Sequence, residues 1–299
     1  MQLKRIGRVL AALTLAAASL AGSLGAQSAL APAAQAEASS SDPSIRGVHL
    51  ECGGAEAYVS VRWWDSGAVS VSYTINDTST SDGLTPKIQL TAHNTSQAQP
   101  YEFDGSGWLV MPLADTSNSG GFGSWNPSQV GHVLDLAVTL KNGLDPESGD
   151  KCTASRQIWN WGQNALRVAQ LQKGTAYRLG GCEPYVLLDR SCLVRRSYSG
   201  LSGFGTTPRD TRSQTTWLEA LATDGRQTKV DALKVSAADV QQGDLIFYDW
   251  ENDNHIDHVA FYWSPGHVYD TSSPDRAAGV RAQSLTSDVA AVYRVTGVS

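Results

Sequence analysis

The sequence predicts an all-β, sandwich-like domain followed by an α+β layer domain. Three observations carry this. Between about residues 45 and 150, apolar and polar residues alternate in short runs, broken by Ser, Gly, Asp and Asn clusters. After residue 155 the apolar spacing becomes helical and only later returns to strand-like runs. All four cysteines, Cys52, Cys152, Cys182 and Cys192, lie downstream of an N-terminal segment with the features of an export signal.

That segment comes first in the chain. Lys4, Arg5 and Arg8 form a positive start, Val9 to Leu24 is apolar and Ala-rich, and Ala34-Gln35-Ala36 has the A-x-A form of a cleavage site. Residues 1–36 are therefore expected to be a secretory signal peptide, and the apolar run is too short and too diluted by Ser and Gly for a membrane span. Residues 37–44 read as a polar linker. The expected product is secreted, with cell-wall association as the further expectation, and has no membrane association after cleavage. The signal carries three of the 23 basic residues and none of the 29 acidic ones, leaving 20 basic against 29 acidic, a net charge of −9. With no Lys/Arg run, nucleic acid and anionic membranes are excluded as main partners.

Residues 45–153 are expected to form the β domain. Ala57–Trp63 and Ala68–Thr74 alternate with period two, and Lys87–His93, Gly107–Leu113 and Val133–Leu140 are further strand candidates. Ser117–Gly123 reads as a long flexible loop. Trp63, Trp64, Trp108 and Trp125 either fill a small core, the favoured reading, or stack on sugars. Residues 155–299 form the second domain. Ile158–Gln172 has apolar residues at helical spacing and should end near Gly174. A Gly-Gly turn, a second helix after Asp189, and strands at Asp244–Tyr248, His258–Trp263, Val268–Thr271 and Val292–Val295 follow.

Four cysteines in an oxidising compartment suggest two disulfides, and three pairings are possible. Cys52–Cys152 with Cys182–Cys192 is favoured because each closes within one domain. On the chain-entropy estimate the long loop contributes ~4–5 kcal/mol and the short one nearer ~3 kcal/mol. Nothing in the Cys/His spacing suggests a zinc site, and no cofactor or metal is expected.

Five motifs occur in order in the second domain: Gly174–Gly181, Asp189-Arg190-Ser191-Cys192-Leu193-Val194, Thr207-Pro208-Arg209-Asp210-Thr211 with Gln214, Gln242–Phe247, and His258-Val259-Ala260-Phe261-Tyr262. Together they resemble the NlpC-type, papain-like cell-wall peptidases over about residues 155–297. The resemblance implies a papain-like α+β fold and hydrolysis of peptidoglycan stem peptides. Its chemistry uses a Cys nucleophile at a helix start, where the dipole and unsatisfied N–H groups favour the thiolate, a His base and a polar group that orients the His.

The register of the Asp189 box places Arg190 at the nucleophile position, and arginine has no lone pair to offer. His258 takes the base position, with His255 a weaker candidate, and Asp270 the orienting position. A three-residue loop Ser264-Pro265-Gly266 would pair Trp263 with His267 and set His258 and Asp270 diagonally on one face. Cys192 is the alternative nucleophile, but two residues along a helix turn it by about 200°. Tyr177, Asp189 and Ser191 are candidate binding residues, and Arg209 is expected to brace the fold through a charge pair. The leading expectation is an inactive homologue that binds stem peptide or a secreted protein partner. The alternatives are an active endopeptidase or amidase using Cys192, and an inhibitor or adhesion module acting through the β domain.

Overall fold

The computed structural model describes residues 45–64, 68–94, 101–102, 109–110, 117–125, 133–143, 151–224, 228–273, 277–283, 285 and 288–299. The expected signal peptide and linker lie outside these residues, as do Trp108 and most of the Gly107–Leu113 strand candidate. The described chain is mostly β. Its first half comprises β1 (Ile45–Cys52), β2 (Ala55–Trp63), β3 (Val69–Asp77), β4 (Thr85–Asn94), β5 (Tyr101–Glu102), β6 (Leu109–Val110), β7 (Ser117–Trp125), β8 (Val133–Gly143) and β9 (Cys152–Trp159).

β1, β2, β3 and β7 form one antiparallel sheet in that order. β2 alternates buried and half-buried residues at all nine positions, as period-two patterning requires. Its Ala57, Val59 and Val61 share a core with Ile88 and Leu90 of β4 and with Leu136, Val138 and Leu140 of β8. Each fully buried Val, Leu or Ile there contributes about 1.5–3 kcal/mol before entropy is subtracted. The Cys52–Cys152 disulfide ties the end of β1 to the start of β9, with Cα atoms 5.4 Å apart. Trp63 is buried, whereas Trp64 is 41% exposed beneath the guanidinium of Arg62, 4.0 Å from its ring centroid.

Two expectations change. Ser117–Gly123 is not a loop but most of β7, paired with β3 from Val69–Trp125 to Asn76–Ser117. Composition reads Ser and Gly as loop-forming, but an unpaired strand edge on β3 offers hydrogen bonds to any backbone that can lie flat against it. The helix expected from Ile158 begins at Trp161, because Ile158 and Trp159 are the last residues of β9.

The remaining elements are α1 (Trp161–Gln170), β10 (Ala176–Tyr177), β11 (Cys182–Glu183), β12 (Leu187–Leu188), α2 (Arg190–Ser199), α3 (Thr211–Asp224), β13 (Asp231–Lys234), β14 (Leu245–Tyr248), β15 (His258–Ser264), β16 (His267–Asp270), β17 (Gly279–Ala282) and β18 (Val289–Val298). The long sheet runs β17-β16-β15-β14-β18-β9-β8-β4-β5, with β13 on β18 and β6 on β4. β9 pairs with β8 along its whole length and with β18 at Ile158–Val298 and Trp159–Gly297. The domain boundary expected at 153–155 thus falls inside a single strand. Ile158 and Val298 belong to the first core, and Trp159 to a second core that holds Ala165, Leu193, Tyr198, Phe247 and Phe261. Gly297 permits this junction: a Cβ there would sit 1.9 Å from the Lys229 carbonyl oxygen, which accepts from Trp161 Nε1 at 2.7 Å.

Candidate functional site

The start of α2 is held from several sides. Asp189 caps it, accepting from the Cys192 N–H at 2.8 Å, as an N-cap carboxylate does. The same carboxylate accepts from the Gly180 N–H at 3.0 Å and from Arg209, Nη1 to Oδ1 at 3.0 Å and Nη2 to Oδ2 at 2.7 Å. Arg209 also reaches Ser191 Oγ at 2.9 Å and the Gly181 carbonyl at 3.2 Å. Buried Gln214 donates to the Ser191 carbonyl at 2.8 Å. Asp189 and Ser191, candidates for ligand contact, are buried and face these internal partners. Arg209 makes the charge pair expected of it. The motif Asp244 is likewise internal, gripped on both oxygens by Arg294.

His258 opens β15 and Asp270 closes β16. Phe261 lies opposite Tyr269 and Tyr262 opposite Val268, so the two groups fall diagonally on one face, as the expected register requires. The connection itself differs: Ser264, not Trp263, pairs with His267, and the register shifts at Trp263. Pro265-Gly266 makes the turn, with Gly266 at φ 74°, where glycine is favoured. His258 Nε2 lies 2.6 Å from Asp270 Oδ2. Arg281 on β17 donates to both Asp270 oxygens, Nε to Oδ1 at 3.2 Å and Nη2 to Oδ2.

Burial is the largest influence on both groups. It lowers the His258 pKa, and the charges of Arg190 and Arg281 lower it further, while the Asp270 hydrogen bond and charge raise it; the net displacement is downward. Burial raises Asp270, but His258 and Arg281 together outweigh it and hold the carboxyl below its ordinary value. At neutral pH His258 is therefore a neutral imidazole that donates Nε2–H to an ionised Asp270. Its Nδ1 keeps a lone pair and is buried without a hydrogen-bond partner among the described residues. The arrangement presents a neutral imidazole held by a carboxylate through one ring nitrogen, with the lone pair of the other unengaged among the described residues.

Arg190 is the first residue of α2 and crosses towards the His strand. Its guanidinium donates to the carbonyl of Asp257, the residue before His258, and to that of Ser272 at 3.4 Å. The rings of Tyr177 and Trp250 flank it at 5.9 and 5.7 Å. Cys192 is fully buried and bonded to Cys182, with Cα atoms 5.4 Å apart, so it has no thiol to offer. His255 is exposed and pairs with Asp253 at 3.1 Å, outside the cluster.

Two members of the site were not anticipated. Trp250, 41% exposed, stacks on His258 with centroids 4.9 Å apart and planes 18° apart. Arg281 sits on a four-residue strand whose weak alternation gave no signal. Among the described residues, His49, Glu51 and Glu56 place ligand atoms within 4.8 Å of one another, but they lie on β1 and β2, and Glu56 already accepts from Asn76 and Tyr58.

The NlpC/P60 family model matches residues 174–294. No curated protein matches the chain. Among solved structures, the peptidoglycan hydrolase RipB from Mycobacterium tuberculosis is 22% identical over 45% of this chain and 63% of its own, with a TM-score of 0.33. A lipoprotein-like member of the family from Staphylococcus aureus is 24% identical over 45% of this chain and 41% of its own, at 0.31. NlpC2 from Trichomonas vaginalis is 13% identical over 71% of this chain and 99% of its own, at 0.35. The chain thus spans less than two thirds of the first two of these structures. Residues 174–294 of this chain form an NlpC/P60 domain.

Proposed function

We propose that this chain is a secreted, cell-wall-associated NlpC/P60 protein that has lost hydrolysis and binds peptidoglycan stem peptide at the former active site. In this reading the N-terminal pair of sheets is the expected sandwich, and Arg190 stands where the family's nucleophile stands. The observation that carries the proposal is the position of Arg190: first residue of a helix, reaching the residue beside an oriented His258, with both nearby cysteines in a disulfide. A guanidinium cannot attack a carbonyl, whereas it binds carboxylates, which stem peptides carry. Tyr177 and Trp250 flank the cation and offer apolar faces to the rest of a peptide.

Calorimetry with a purified stem tripeptide tests this. Wild type should bind it, Arg190→Ala should bind about tenfold or more weakly, as the loss of a charge-assisted hydrogen bond predicts, and neither should cleave cross-linked muropeptides. Cleavage by wild type, or equal binding by the two proteins, would refute the proposal.

A further inference from the structure

A cavity in another part of the protein shares no residue with the His258 cluster. It has a volume of about 510 Å³, within the range of small-molecule sites. Its walls come from β8, the end of β9, α1 and the segment after α2, so it exists only because β9 carries both halves of the protein on one sheet. Leu134, Val168, Leu171 and Leu201 line it, beside the Trp159–Trp161 pair, whose rings stack 5.1 Å apart at 10°. Leu171 is 67% exposed, so the cavity opens to solvent on this side.

The polar groups in this wall are unequal. Asn164 already donates to the Leu134 carbonyl at 2.8 Å. Asp135 is engaged through Oδ1 by His93 at 2.5 Å and Gln157 at 2.7 Å. Arg167 has no ion pair among the described residues, and its Nη1 is buried with no hydrogen-bond partner. Burial displaces its pKa downward. A partly buried cation without a counter-charge is costly, and the cost falls when an anion arrives.

We infer that this cavity is a binding site for a small organic carboxylate with an apolar body, the carboxylate on Arg167 and the body against the leucines and tryptophans. The inference does not rest on the activity or inactivity of the His258 cluster.

Octanoate is the probe and octanol its uncharged counterpart, titrated by calorimetry into the full chain lacking its signal peptide. Octanoate should bind saturably and about tenfold or more tightly than octanol, the scale of one charge-assisted hydrogen bond. Arg167→Met should abolish that preference, and the unliganded variant should melt no lower than wild type, since it removes an uncompensated charge. Absence of saturable octanoate binding, equal affinity for octanoate and octanol in wild type, or undiminished octanoate binding by Arg167→Met would each overturn the inference. If the variant does not fold, the octanoate–octanol comparison on wild type decides alone.

Discussion

Replacing Arg209 by Met tests how the start of α2 is held. The substitution removes four contacts at once: two to the Asp189 carboxylate at 2.7 and 3.0 Å, one to Ser191 Oγ and one to the Gly181 carbonyl. The Asp189 side chain is 7% exposed, so its charge is largely withdrawn from water, while that of Arg209 is 32% exposed. Breaking a fully buried pair costs about 3–5 kcal/mol. Here the partial exposure of Arg209 and the amide donors from Gly180 and Cys192 that remain on Asp189 reduce the cost to about 2–3 kcal/mol. For a chain of this size that is a fall in Tm of roughly 4–12 °C, read by thermal unfolding with a urea titration as the second measure. A double-mutant cycle with Asp189→Asn should give a coupling of about 1 kcal/mol or more between the two sites. A Tm change within 1 °C, or additive single mutants, would refute the claim that this pair holds the helix start.

Three further outcomes are expected. Thiol titration of the native protein should find no reactive cysteine, since all four are paired; one reactive thiol per chain would return Cys192 to consideration. Converting Arg190 to Cys together with Cys182→Ser and Cys192→Gly, which prevents a rival disulfide, should give measurable muropeptide cleavage, because position 190 opens α2, its side chain reaches the residue before His258, and His258 Nδ1 has no hydrogen-bond partner among the described residues. A folded but inactive triple mutant would show that the site has decayed beyond its nucleophile. Because the folded-state pKa of His258 is lowered, the folded chain binds fewer protons, and its stability is fully present above about pH 6.5 and falls as the pH drops below it, by at most about 1.4 kcal/mol per unit from this group. His258→Gln should flatten that slope between pH 6.5 and 5, and Arg281→Gln should raise the His258 pKa in an NMR titration; an unchanged slope and an unchanged pKa would contradict the assigned electrostatics.

The strands at Ala57–Trp63, Lys87–His93 and Val133–Leu140 were legible because one face of each is buried, and burial imposes period two on the residues themselves. The segment at 117–123 was not, because its glycines carry no side chain to show a pattern, and only the neighbouring edge of β3 makes it a strand. The helix start at Trp161 was misplaced for a related reason. Ile158 and Trp159 are apolar in either structure, and the decision rests with β18 and β8, which pair with them.

At the site, the sequence by itself determined which chemical groups exist: an arginine before a cysteine at a helix start, a histidine opening one strand, and an aspartate closing the next. It also determined that His258 and Asp270 share a face, because a hairpin with its short turn is a local structure. The tertiary structure decided what those groups do to one another. Arg281 reaches Asp270 from a third strand, Arg190 finds the carbonyls of Asp257 and Ser272 more than 60 residues away, and β9 joins two cores into one sheet. Periodicity reports only whether a face is buried. The partner it is buried against depends on register and packing between segments far apart in the chain.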